Sequence, residues 1–119
     1  VEESPGTTIP DNNPAGIERT LNVAESGPIQ DLDVSVDITH TYIGDLTVTL
    51  VSPTGMRAVL HNRGGGSRDN LVRSFRFSDT PALQALRGQS LQGAWKLRMA
   101  DLEAVDVGKL NRWGLKVSR

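Results

Sequence analysis

The sequence predicts an all-β fold, an antiparallel jelly-roll β-sandwich of about eight short strands. Apolar and polar residues alternate with a period of two along most of the chain, which is typical of half-buried strands. Residues that favour turns separate these stretches, and a single short segment has a helical pattern. The 119 residues suffice for one domain, and a hydrophobic content of 37% supplies its core.

The N-terminal segment has the composition of a linker. Three prolines and two glycines lie within residues 1–16, together with acidic residues and adjacent asparagines. We therefore expect residues 1–8 to connect the domain to something upstream and the folded domain to occupy 9–119. Because the chain begins at Val1 without a leader, we expect it to be an excised or processed fragment.

Alternation marks the strands in order along the chain. The clearest spans 31–38, where apolar residues at even positions alternate with Ser35 and with Asp31, Asp33 and Asp37, which gives an acidic outer face. Similar patterns predict strands near 17–23, 46–50, 58–60, 75–77, 95–99 and 110–117. Residues 62–70, rich in glycine, are expected to form a flexible loop. The helical pattern covers 81–87 and is closed by Gly88.

Charge is divided unevenly between the two halves of the chain. Residues 1–50 contain nine acidic residues and one basic residue, Arg19, whereas 51–119 contain twelve basic and five acidic residues. Either the strands of the two halves interleave and their charges pair across the sheets, or one charged face docks on a partner. In the second case Arg63, Arg68, Arg73 and Arg76 or the acidic face would lie near its rim. The net charge of −1 gives no sign of binding to nucleic acid or to an anionic membrane.

No pattern of an independent catalytic site is found. The chain has no cysteine, and its histidines, His40 and His61, lie at a corner and beside a loop, where solvated side chains are expected. Neither a Gly-x-Ser-x-Gly turn nor a His-Glu-x-x-His zinc motif occurs. Gly64, Gly65 and Gly66 lack the following helix that a phosphate-binding loop requires. The sequence therefore predicts no catalytic residues and no organic cofactor.

The segment after the 31–38 strand must turn the chain between two core strands. Gly44 can adopt a positive φ there, and the Asp45 carboxylate can accept hydrogen bonds from backbone N–H groups that the corner leaves unpaired. The polar residues of 40–45 are therefore interpreted as corner architecture.

Calcium is the one metal that the sequence leaves open. Asp31, Asp33 and Asp37 imitate the spacing of a calcium loop, but Val36 stands where that loop needs glycine, so they are assigned to a strand. Loop-borne aspartates are better candidates because calcium takes several oxygens from flexible backbone. The candidate ligands are Asp45, Asp79, Asp101 and Asp106.

Several motifs in a fixed order resemble the proprotein-convertase P domain, also called the P/Homo B domain. They are His-Thr-Tyr-Ile-Gly-Asp-Leu at 40–46, Ser-Pro-Thr-Gly at 52–55, Gly-Ala-Trp-Lys-Leu at 93–97 before Asp101, and Gly-Lys-Leu-Asn-Arg-Trp-Gly-Leu at 108–115. Ile-Pro-Asp-Asn at 9–12 and the glycine-rich loop before Phe-Arg-Phe at 75–77 also match bacterial members. The resemblance covers nearly the whole chain.

The resemblance implies a non-catalytic β-sandwich placed C-terminal to the catalytic domain of a secreted, subtilisin-like bacterial protease. Its expected partner is that catalytic domain in the same polypeptide, with the protein substrate as a second candidate, and the isolated domain is expected to be a monomer. Attachment to a secreted metalloprotease and a carbohydrate- or matrix-protein-binding module are the alternatives. Sugar binding needs exposed aromatic rings, whereas Trp95 and Trp113 share parity with core positions and leave only Tyr42 outside.

Overall fold

The computed structural model describes residues 1–103 and 108–118. Nine strands, one short helix and one 3₁₀ turn are found in this part of the chain. The strands are β1 (Glu2–Glu3), β2 (Thr7–Ile9), β3 (Asn13–Val23), β4 (Asp31–His40), β5 (Leu46–Val51), β6 (Arg57–Asn62), β7 (Leu71–Phe75), β8 (Gly93–Asp101) and β9 (Gly108–Ser118). The 3₁₀ turn is Ile43–Asp45, and α1 is Pro81–Gln84.

Two antiparallel sheets form a β-sandwich, which confirms the predicted fold class. In the first sheet β1 and β2 both pair with one side of β9, and β4 and then β7 follow on its other side. The second sheet has the order β3, β8, β5, β6. After β2, every connection except the β5–β6 hairpin passes from one sheet to the other, as in a jelly roll.

The core lies between the sheets and follows the alternation of the sequence. Even positions of β4 face inward from Leu32 to His40, and odd positions of β8 face inward from Trp95 to Asp101. Trp95 and Trp113 are fully buried, as predicted, and their indole N–H groups donate to the Leu91 carbonyl and to the Glu3 carboxylate respectively. The predicted acidic outer face of β4 is also present.

Some boundaries differ from the sequence predictions. Residues 1–8, assigned to a linker, contain β1 and most of β2, which are held by pairing with β9 instead of by hydrophobic alternation of their own. The Phe75–Phe77 strand begins earlier, at Leu71, and ends at Phe75. The helical segment 81–87 forms only α1, followed by turns. Within the described residues, no helix has the length and apolar character needed to cross a membrane.

Charges of the two halves of the chain meet because the strands interleave. Glu18 of β3 lies opposite Arg98 of β8, and its carboxylate is 3.8 Å from the Arg98 guanidinium and 3.7 Å from the Lys96 ammonium. Within the acidic half itself, a bidentate pair joins Glu3 to Arg19, with N–O distances of 2.9 and 3.0 Å. The Arg19 hydrogen bond lowers the pKa of Glu3 from its ordinary value. Pairing of Glu18 with Lys96 and Arg98 on the neighbouring strand thus accounts for part of the uneven charge distribution.

Candidate functional site

The corner after β4 is built around a buried histidine. His40 ends β4 and is fully buried, so the expectation of a solvated position was wrong; its inward parity explains why. Its Nε2 lies 3.0 Å from Oδ2 of Asp101, and its Nδ1 accepts a 2.9 Å hydrogen bond from the backbone N–H of Tyr42. Because a backbone N–H can only donate, Nδ1 carries no proton and Nε2 donates to Asp101. The two partners therefore fix His40 as one neutral tautomer.

Asp101 is the buried acceptor of this corner. Its Oδ2 accepts from His40, and its Oδ1 accepts a 3.1 Å hydrogen bond from the backbone N–H of Glu103. The carboxylate is fully buried, and hydrogen bonds of this kind are what makes such burial tolerable. Gly108, opposite His40 in β9, leaves room for the imidazole, since a Cβ there would lie 2.5 Å from its Cδ2.

The 3₁₀ turn closes the corner through its backbone. Asp45 is buried; its N–H donates to the Tyr42 carbonyl, and its own carbonyl accepts from the Leu102 N–H. Gly44 does not use a positive φ, contrary to the sequence prediction. Glycine is needed there for a close approach, because a Cβ would come 2.8 Å from the Gly66 carbonyl oxygen.

The glycine-rich loop between β6 and β7 is fastened to this corner. The N–H groups of Ile43 and Gly44 donate to the carbonyls of Arg68 and Gly66, at 3.0 and 2.9 Å. At the other end, the Asn70 N–H donates to the His40 carbonyl at 2.7 Å. The loop predicted to be flexible is therefore attached at several points to the turn that His40 organises.

His61 of β6 supports the same turn from the second sheet. The side chain is partly buried, and its Nε2 donates to the Ile43 carbonyl at 2.8 Å. Next to the strand end, Arg63 donates to the Gly44 carbonyl and to the Glu103 carboxylate. Both histidines are thus engaged in positioning backbone, and neither ring nitrogen of His40 faces a serine hydroxyl that it could activate.

A cleft of about 370 Å³ opens between the glycine-rich loop and β7. Its lining contains two arginines, one histidine and no acidic residue: Ile43, His61, Gly64, Gly65, Arg68, Asn70, Leu71, Val72 and Arg73. Of these lining residues, Val72 is 69% exposed. Sequence reasoning named both arginines as rim residues of a docking surface but gave no sign of the cleft, which depends on the path of the loop.

The predicted calcium ligands do not converge on one described site. Asp45 and Asp101 lie at the same corner, since Asp101 pairs with Leu46 across β5 and β8. Asp79 is exposed and follows β7 at the opposite end of the sheet, about 20 Å away at the rise of a strand. Asp106 lies outside the described residues. Among those residues, no three histidine or acidic side chains are close enough to hold a metal ion together.

Comparison with known proteins gives consistent matches. The chain matches the proprotein convertase P-domain family over residues 29–117. It is 39% identical over 105 residues to the Calcium-dependent protease of Trichormus variabilis, an alignment that covers 86% of this chain and 16% of that protein. It is 35% identical over 115 residues to the Transglutaminase-activating metalloprotease of Streptomyces mobaraensis, covering 96% of this chain and 14% of that protein.

A solved structure with the same fold is the serine protease of Aeromonas sobria in its complex with the chaperone ORF2. The TM-score is 0.78 at 22% identity, over 98% of this chain and 26% of that one. The chain therefore corresponds to a small part of each of these larger proteins.

Proposed function

The chain belongs to the proprotein convertase P-domain family, and we propose that it is a non-catalytic accessory domain of a secreted bacterial serine endopeptidase. It lies C-terminal to the catalytic domain in the same polypeptide and supports that domain's folding and stability. The observation that carries the proposal is the family match over most of a chain that spans only 16% of a related protease. The extracellular location rests on the family resemblance.

The geometry of the corner supports a structural role for its polar residues. His40 and Asp101 satisfy each other and two backbone N–H groups, so using His40 as a general base would require giving up the hydrogen bond at Nδ1. His40 and Asp101 thus use their polar atoms to connect β4, β8 and the 3₁₀ turn. A domain of this kind can contribute stability and contact surface to an attached enzyme.

The test compares the parent protease with and without this domain. We expect the truncated protein to show a lower secretion yield and a lower melting temperature of its catalytic domain. A full-length Asp101→Asn variant should reduce the yield of active enzyme, whereas Glu25→Gln, at an exposed position outside the calcium candidates, should not. Equal yield, stability and substrate preference with and without the domain would refute the accessory role.

Two alternative functions are a metalloprotease parent and sugar binding, and one observation bears on each. The metalloprotease name of one relative favours a metalloprotease parent, and inhibition of the parent by a serine-acylating reagent or by a zinc chelator distinguishes the two. Sugar binding lacks its usual platform, because both tryptophans and both phenylalanines are buried, and Tyr42, 39% exposed, supplies only one ring.

Calcium dependence belongs to the name of a related whole protease. Among the described candidates, Asp79 lies apart from the corner that contains Asp45 and Asp101, and the two oxygens of Asp101 already accept hydrogen bonds. Calcium binding by the domain through Asp45, Asp79, Asp101 or Asp106 therefore stays a proposal. Calorimetric titration of the 119-residue chain with calcium tests it separately from the parent, and the absence of any heat of binding would reject it.

A further inference from the structure

The cleft beside β7 has an unusual residue at its mouth. Positions 71, 73 and 75 of β7 alternate toward the core, and Leu71 and Phe75 are buried there. Arg73 occupies the position between them, opposite the buried Val36 of β4, yet it is exposed and lies over the Phe75 ring at 4.7 Å from the centroid. Arg73 therefore places a cation in the lining of the cleft, at an inward-parity position where an apolar side chain would be expected.

The charge of the cleft has one sign. Arg68 and Arg73 both line it, and neither forms an ion pair with a carboxylate within the described residues. The acidic neighbour in the loop, Asp69, is exposed and is not part of the lining. A ligand with carboxylates at matching spacing would complement this charge.

The strand beside the cleft has a free edge. β7 pairs with β4 on one side and has no sheet neighbour on the other within residues 1–103 and 108–118. An extended peptide can add to such an edge through backbone hydrogen bonds, and its alternate side chains then point to one face. The loop that forms the other wall is held by hydrogen bonds to Ile43, Gly44 and His40, so the cleft needs little ordering before it binds.

We propose that the cleft between residues 64–70 and β7 binds an extended acidic segment of a protein. The segment adds along the open edge of β7 and places alternate carboxylates against Arg68 and Arg73. Carboxylates two residues apart in a strand are separated by about 6.7 Å and point to the same face, and both arginines line the one cleft. This surface lies outside the corner formed by His40 and Asp101, and its chemistry does not depend on the accessory role.

Fluorescence anisotropy of labelled peptides tests the proposal with the 119-residue chain. The probe is a short peptide in which Glu alternates with Thr, and the matched peptide has Gln in place of Glu. We expect saturable binding of the Glu peptide alone, weakened by salt. Arg68→Gln and Arg73→Gln should each raise its dissociation constant roughly threefold to fivefold, as expected for exposed ion pairs.

Arg87→Gln is the matched control variant. Arg87 also lies over a phenylalanine ring, at 4.9 Å from the centroid of Phe77, but it is not part of the cleft. It should bind the Glu peptide like the unmodified chain. A Glu peptide that is N-methylated at alternate residues should bind more weakly, because it cannot pair with β7.

The outcomes separate the proposal from its competitors. Equal binding of the Glu and Gln peptides, or equal loss in Arg87→Gln and Arg73→Gln, would overturn it. Binding of heparin or of vesicles with anionic lipids, in the absence of peptide binding, would assign the arginines to a polyanion or membrane surface and would also overturn it. Shifts of backbone NMR signals confined to β7 and residues 64–70 on adding the Glu peptide would support it.

Discussion

Replacement of Asp101 by asparagine gives the sharpest test of the buried corner. Asparagine keeps the size of the side chain but presents one acceptor and one donor group. The site requires two acceptors, because the Nε2 proton of His40 and the N–H of Glu103 both point at it. In either orientation of the amide, an NH₂ group therefore faces another donor. The alternative tautomer of His40 only transfers this conflict to the Tyr42 N–H.

The cost follows from these contacts. A buried donor without an acceptor costs about 1–3 kcal/mol, and hydrogen bonds to a charged group contribute somewhat more than neutral ones. The Glu103 N–H is only partly buried, so water relieves some of the conflict, and we expect a loss of about 2 kcal/mol in the free energy of unfolding. With an unfolding entropy of about 2.1 cal/mol/K per residue, the melting temperature of a 119-residue domain falls by about 8 °C.

Thermal and urea unfolding followed by tryptophan fluorescence measure this loss. Asp79→Asn, at an exposed position, is the control and should stay within about 0.5 kcal/mol of the unmodified chain. Asp101→Leu should be less stable than Asp101→Asn, because it leaves His40 with no acceptor at all. Nitrogen-15 spectra of the unmodified chain should show His40 protonated at Nε2. An Asp101→Asn melting temperature within about 2 °C of the unmodified value would refute the reasoning.

Three further predictions concern other parts of the sandwich. The hydrogen bond from Arg19 lowers the pKa of Glu3, so the pair stabilises the folded state at pH values above the ordinary pKa of 4.5, and this stabilisation is lost as the pH falls. The urea midpoints of Glu3→Gln and of the unmodified chain should therefore differ at pH 6 and converge in acid. Gly16→Ala should prevent folding or lower the free energy of unfolding by more than about 3 kcal/mol, because φ is +63° and the new Cβ would overlap the Met99 carbonyl. Gly55→Ala, where φ is +90° but the surrounding space is open, should lower it by about 1–2 kcal/mol in the same unfolding assay. Both tryptophans should emit at short wavelength and resist quenching by iodide, and a red-shifted, easily quenched emission would contradict their burial.

Strand alternation predicted most of the fold because burial imposes it directly on the sequence. The same parity also contained the corner: His40 continues the inward series of β4, and Asp101 continues that of β8. The sequence prediction missed the hydrogen bond between His40 and Asp101 because it assumed that polar residues at strand ends are solvated. The inward parity of both positions indicated a buried pair.

Other features could not be obtained from local patterns. β1 and β2, with two and three residues, are too short to show alternation, and they form because β9 offers them a partner. The glycine-rich loop is fixed by contacts with residues more than twenty positions earlier in the chain. The cleft beside β7 is formed by the glycine-rich loop on one side and by β7 on the other. The sequence could therefore show the two arginines but not that they line the same cleft.

The position of β9 determines when this domain can fold. The last described strand lies inside its sheet, with β4 on one side and β1 and β2 on the other, and its 11 residues carry the buried Trp113. A chain emerging from the ribosome or a translocation channel cannot complete that sheet until β9 has emerged, since β4 and the N-terminal strands have no direct pairing with each other. Pairing across such long sequence separations is slow, so this sheet stays incomplete until β9 has been synthesised. Burial of Trp113 then reports the closing step of folding.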